Sequence, residues 1–403
     1  MRHIYILCMT ILLLSACNGM MNNENSSSEK AFVLPDNATR VIITGYLFIP
    51  GEADSMPGNF LIDLGADNLY LDSVYFHENN LTYENTFFAN ISGIGNTLKR
   101  IIVIRDSVNF TFKGYNFKTD IVPVLDLKPI GGDYVDGLLG VRYFMDKSLE
   151  INYEHQYIII HSDINTVDLT NYQSIKLKRI DNYICAPITM KANGIEINGH
   201  FIIDTGYPVS SITSAASKVH NLETVISHKI EYYTDYGGIG GESASYDFII
   251  DSVLISDFSL SNVNMSFSID SAGIMAEGDY LGIIGNDILR RFDVIFDFAN
   301  LNLYLKPNKI YTKPFVFDRL GFTYVDRFRT KGGWIVTGLT VNGFAEKQGL
   351  KIDDKIISVN NISVEDIEYT TQDSFFLNTN RISMVVEDSS GRKTLKFKLK
   401  PLL

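Results

Sequence analysis

Phe60-Leu61-Ile62-Asp63-Leu64-Gly65 and Phe201-Ile202-Ile203-Asp204-Thr205-Gly206 are near copies of one another within one chain of 403 residues. Each puts a carboxylate at the end of an apolar run that reads as a strand, followed by a glycine that allows a sharp backbone turn. A lone charge in such surroundings is costly. Two such ends brought together relieve that cost by sharing one proton, because like charges roughly 3 Å apart do not both ionise readily. The repeat therefore predicts a paired aspartate site.

Further landmarks recur in the same order around each copy, the signature of an internal duplication. Ser92-Gly93-Ile94-Gly95 follows Asp63, and Gly237-Gly238-Ile239-Gly240-Gly241 follows Asp204. Asp136-Gly137-Leu138-Leu139-Gly140 is answered by Leu281-Gly282-Ile283-Ile284-Gly285, with Asp63 74 residues before Gly137 and Asp204 78 before Gly282. Each copy then predicts a short helix and a hairpin: 141–147 with 149–153 and 157–160, and 286–291 with 293–298 and 301–305. Short β-branched and aromatic runs between Gly, Asn, Asp and Pro make the whole reading mostly β.

On these residues, 41–306 resembles a two-lobed aspartic peptidase of the pepsin and retroviral type. The resemblance implies two duplicated β-barrel lobes, at 31–165 and 166–310, with Asp63 and Asp204 as the catalytic dyad. Gly65, Thr205 and Gly206 would shape the active-site loops. Gly93, Gly95, Gly238 and Gly240 would lie at the tips of flaps that bend over a polypeptide substrate bound as an extended strand. One ionised carboxylate activates a water while its protonated partner polarises the peptide carbonyl, which requires neither metal nor cofactor. Both groups titrate as a pair. The sequence departs from the family at Leu64, where a Thr or Ser would brace the two loops, and Tyr207 replaces a small residue. A second reading follows from Leu64: a weakly active or inactive protein that keeps the fold and binds peptide.

The N-terminus has its own signature. A basic start at Arg2 and His3, an apolar run from Ile4 to Leu14 and the stretch Leu14-Ser15-Ala16-Cys17 read as a secretory signal, too short to span a bilayer as a mature helix. It resembles the leader of bacterial lipoproteins. That likeness implies cleavage of residues 1–16, lipidation of Cys17, and attachment to a membrane of the bacterial envelope, with residues 17–30 as a solvated tether. Cys185 would then be the one free thiol, and its apolar neighbours predict burial. Formal charge is −12, with no basic cluster, which argues against nucleic-acid binding. The histidines lack metal-ligand spacing.

Composition shifts at Lys306-Pro307-Asn308-Lys309, read as a linker, and residues 311–403 form a different unit. Ala345, Gly349-Leu350, Asp354, Ile356 and Val359-Asn360 have the spacing of a PDZ domain, which this segment resembles. The likeness makes Leu320, Gly321 and Phe322 a loop whose N–H groups receive a peptide's C-terminal carboxylate, with Arg319 beside them, while the peptide adds a strand to the sheet edge. Asp353 stands where the family often has Gly.

Overall fold

A computed structural model of the chain describes residues 32–403 apart from Asn378. The leader, the tether and Cys17 lie outside the described residues. The first lobe is built from β1 (Leu47–Ala53), β2 (Met56–Asp63), β3 (Leu69–Asp72), β4 (Thr86–Ile91), β5 (Lys99–Ile104), β6 (Val122–Leu125) and β7 (Gly137–Gly140). A hairpin of β8 (Ser148–Asn152) and β9 (Tyr157–His161) closes it. The second lobe runs through β10 (Tyr183–Ala192), β11 (Ile195–Ile203), β12 (Ser211–Ile212), β13 (Ile230–Gly238), β14 (Gly241–Ile255), β15 (Phe258–Ser268) and β16 (Gly282–Ile284). It closes with β17 (Phe292–Asp297) and β18 (Asn302–Pro307).

The two lobes repeat one topology. In the first, neighbouring strands run β1-β2-β7-β3-β6-β5-β4, and in the second β10-β11-β16-β12-β15-β14-β13. In both, the strand carrying the aspartate loop pairs in parallel with the apolar-apolar-Gly strand: Ile62 opposes Leu139, and Ile203 opposes Ile284. Such strands are covered on both faces, which explains why Phe60, Leu61, Ile62 and Phe201, Ile202, Ile203 are continuous apolar runs rather than alternating ones.

The terminal hairpins join the lobes. β8 pairs antiparallel with β17, Leu149 opposite Phe296 and Ile151 opposite Val294, in a six-stranded sheet shared by both halves. Every residue of β17 is buried, so Asp293 and Asp297 enter this sheet with partners: Lys306 at 3.0 Å and Asn300 at 2.8 Å respectively. Asp293 still has one buried oxygen without a hydrogen bond.

The C-terminal domain contains β19 (Phe322–Asp326), β20 (Trp334–Thr340), β21 (Lys355–Val359), β22 (Arg381–Asp388) and β23 (Gly391–Lys398) around the buried Trp334, Val336, Ile356, Met384 and Val386. Strand β20 pairs with β19 and β21 inside the domain and with β13 of the second lobe, where Tyr233 opposes Leu339. Asp36–Leu403 thus form one compact unit. The predicted linker is a fixed connection, because the buried Arg291 donates to the carbonyls of Ile310 (3.0 Å), Tyr311 (3.2 Å) and Lys313 (2.5 Å) and stacks on Phe315 at 3.5 Å. Among the described residues no helix is long and apolar enough to cross a membrane.

Candidate active site

The loops after β2 and β11 meet between the lobes, where the Asp204 carboxylate lies against Gly65 and the Asp63 carboxylate against Gly206. Each is also held by backbone donors. Asp204 Oδ1 accepts from Gly206 N at 2.7 Å and, across the lobe boundary, from Gly65 N at 2.9 Å; Asp63 Oδ1 accepts from Ala66 N at 2.8 Å. Burial and the neighbouring Asp204 charge push Asp63 well above the usual carboxylate range. Burial also raises Asp204, opposed by the N–H groups of Gly206 and Gly65 and by the proton that Asp63 offers. Both carboxyls are thus raised, and a proton held between them belongs to the pair.

Gly65 and Gly206 lie in turns, at 64–65 and 205–206, as the sequence leads one to expect, without a left-handed φ. Space is a second demand on them. A Cβ on Gly65 would collide with the Asp204 carboxylate, and one on Gly206 with the Asp63 carboxylate. Each glycine is the seat of the opposite aspartate.

Thr205 makes a full half-brace. Its hydroxyl donates to Ile62 O at 2.8 Å and accepts from Leu64 N at 3.3 Å, so the second lobe grips both sides of Asp63. Leu64 cannot return the grip; its side chain is buried in the first lobe's core. A residue that the sequence reading passed over supplies another tie. Asn286 Nδ2 donates to Thr205 O at 2.7 Å and to Gly45 O of the first lobe at 3.1 Å, while its Oδ1 accepts from Tyr153 OH at 2.8 Å. An asparagine directly after Ile283-Ile284-Gly285 was the available signal. Tyr46 was also missed: burial, then the charges of Asp63 and Asp204, push its hydroxyl up to about 12, which places it beside the dyad as a proton-retaining group.

The glycine-rich tips of the two lobes meet each other. Gly240 N donates to Ile94 O at 2.8 Å and Thr97 N to Gly240 O at 3.0 Å, and a Cβ on Gly95 would strike the Gly240 backbone. Gly93 and Gly238 pack against the Ile239 and Ile94 side chains of the opposing tip. Asn96 clamps the arrangement, accepting from Ser271 N at 3.0 Å and Ala272 N at 3.1 Å.

The remaining candidates are structural. Ser210 is fully buried, donating to Asp287 at 2.6 Å and accepting from Gly285 N at 3.0 Å, so its hydroxyl is committed to the fold. Cys185 is fully buried and its thiol is pushed up to about 12, chiefly by burial. Among the described residues no group of three His, Cys, Asp or Glu is placed to hold a metal ion.

In the C-terminal domain, Leu320 N and Gly321 N converge on a carboxylate, but it belongs to the chain itself: Asp318 accepts from them at 2.8 and 3.2 Å. Phe322 is buried in the domain core. Arg319 points away, bonding the carbonyls of Leu377 at 2.9 Å and Thr379 at 3.1 Å, so it fixes the segment that enters the C-terminal hairpin instead of adding charge to the loop. Asp353 has a φ of 68°, the left-handed conformation that explains the family's glycine there.

Residues 317–387 match the family model of the PDZ domain. The chain therefore carries a C-terminal PDZ domain, a class of module that binds peptides or regulates access to them. No curated protein matches the chain.

Proposed function

We propose that the two lobes form an aspartic endopeptidase, anchored to a bacterial envelope membrane through Cys17. The observation that carries this reading is the crossed seating of the two carboxyls, each against the other loop's glycine, with Gly65 N donating to Asp204 Oδ1 at 2.9 Å. The ionised carboxylate of the pair draws the proton from a water, and its protonated partner gives its proton toward the peptide carbonyl as the tetrahedral intermediate forms. Closed glycine-rich tips exclude bulk water from this chemistry. They must part to admit a chain. A peptide lies as an extended strand between dyad and tips, its backbone groups paired to them. Cleavage of an unfolded polypeptide by the mature protein, lost in Asp204→Asn, is the test; unchanged cleavage in that variant removes the reading.

The second reading is a peptide-binding protein that retains this fold without turnover. Leu64 favours it, since the brace is made from one side only. If wild type is inert and Leu64→Thr cleaves, this reading replaces the first.

A further inference from the structure

Strand β19 pairs on one edge with β20, and its other edge pairs with no strand among the described residues. An added peptide would lie along that open edge. Its two ends are already engaged. At one, Asp318 fills the carboxylate loop. At the other, Asp133 of the first lobe donates its N–H to Asp326 O at 2.6 Å, as an added strand would.

The Asp133 contact is built, not incidental. Its carboxylate accepts from Thr330 N at 2.8 Å, Thr330 Oγ1 at 2.6 Å and Arg327 Nε at 3.1 Å. Tyr134 stacks on Tyr369 with ring centroids 4.4 Å apart and planes 10° from parallel. Behind them the fully buried Lys128 fixes this loop, donating to Val135 O at 2.5 Å and pairing with Asp136 at 3.2 Å and Asp72 at 3.4 Å.

The PDZ domain is also fused to the glycine-tipped hairpin of the second lobe. Beyond the β13–β20 pairing, Thr234 Oγ1 donates to Thr337 O at 2.6 Å, Val341 N to Glu231 O at 2.8 Å and Tyr236 OH to Asp353 at 2.7 Å. Strand β13 leads into the tip at Gly240 that closes on Ile94. The domain thus ties the second hairpin to the body of the first lobe.

We propose that residues 132–134 are an internal ligand of the PDZ domain: while they occupy the edge of β19 the hairpin β13–β14 is held shut, and a peptide reaching Asp326 displaces them and releases it. This rests on the reading of the hairpins as flaps over a peptidase site. Both states exist before ligand arrives; the peptide shifts their populations by its preference for the open one.

Hydrogen exchange on the full mature chain tests the coupling without any turnover, so a catalytically silent protein leaves the outcome intact. The variants are Asp133→Ala combined with Tyr134→Ala on the lobe, and Tyr369→Ala on the domain, with Tyr369→Phe retaining the stack. The account expects Gly240 and Thr97 amides to exchange at least tenfold faster in both disrupting variants. They stay at wild-type rates in Tyr369→Phe, and Leu149 and Ile151 stay protected in all. Faster exchange at Thr330 with unchanged tips, or no change at either place, overturns the proposal.

Discussion

The hydroxyl of Thr205 in the second lobe donates to the carbonyl of Ile62 in the first, 2.8 Å away, and so holds the residue before Asp63. Thr205→Val removes that donor and the acceptor for Leu64 N together, leaving two buried backbone groups unpaired. Expected is a loss of about 2–4 kcal/mol in chemical unfolding and a fall in cleavage rate of about a hundredfold from misplacement of the dyad. Thr205→Ser keeps the hydroxyl and should remain near wild type.

Asn286 ties the second loop to Gly45 and Tyr153. Asn286→Ala should destabilise by about 2–4 kcal/mol, since Thr205 O and Tyr153 OH lose their shared partner inside the protein. Asn286→Asp should be worse, because it presents oxygen to two carbonyls. Urea midpoints rank these variants.

Gly65→Ala and Gly206→Ala place a methyl on the opposite carboxylate. Each should abolish cleavage while leaving a folded chain, readable as an unchanged far-ultraviolet dichroism spectrum with no turnover.

The duplication, the mostly β class and the aspartate loops were legible because they rest on local patterns: apolar runs ending in Asp-X-Gly, and strand-forming residues between turn residues. The PDZ landmarks were equally local. Asn286, Tyr46 and the Asp133 contact were not, because each acts across the chain: Asn286 reaches Gly45, and Asp133 reaches Asp326. The N–H groups of Leu320 and Gly321 converge, but on Asp318 two residues upstream, an acceptor that the spacing of the PDZ landmarks does not announce. Gly65 and Gly206 read from sequence as turn residues and do lie in turns, while the steric demand of the opposite carboxylate on each is visible only in the structure.

Acid dependence of stability should localise to the junction between second lobe and PDZ domain, where Asp247 and Asp318 line one small cavity with Asn264 and Leu402. Burial, then the Asp318 charge, pushes Asp247 to about 7. A carboxyl raised on folding contributes stability that is fully present below its unfolded value and is lost as pH rises through its folded value. Between pH 5 and pH 8 the wild-type Tm should therefore fall more than that of Asp247→Asn, by on the order of a few degrees. Equal slopes in the two proteins would remove Asp247 from the account.

The most direct measurement of the central claim is cleavage of an unfolded, carboxymethylated polypeptide by mature wild type, Asp63→Asn and Asp204→Asn from pH 3 to 8. A dyad sharing one proton predicts a bell-shaped profile with a mildly acidic maximum, and loss of at least about a thousandfold in either variant. Wild type with no cleavage at any pH, or either variant cleaving at the wild-type rate, contradicts it.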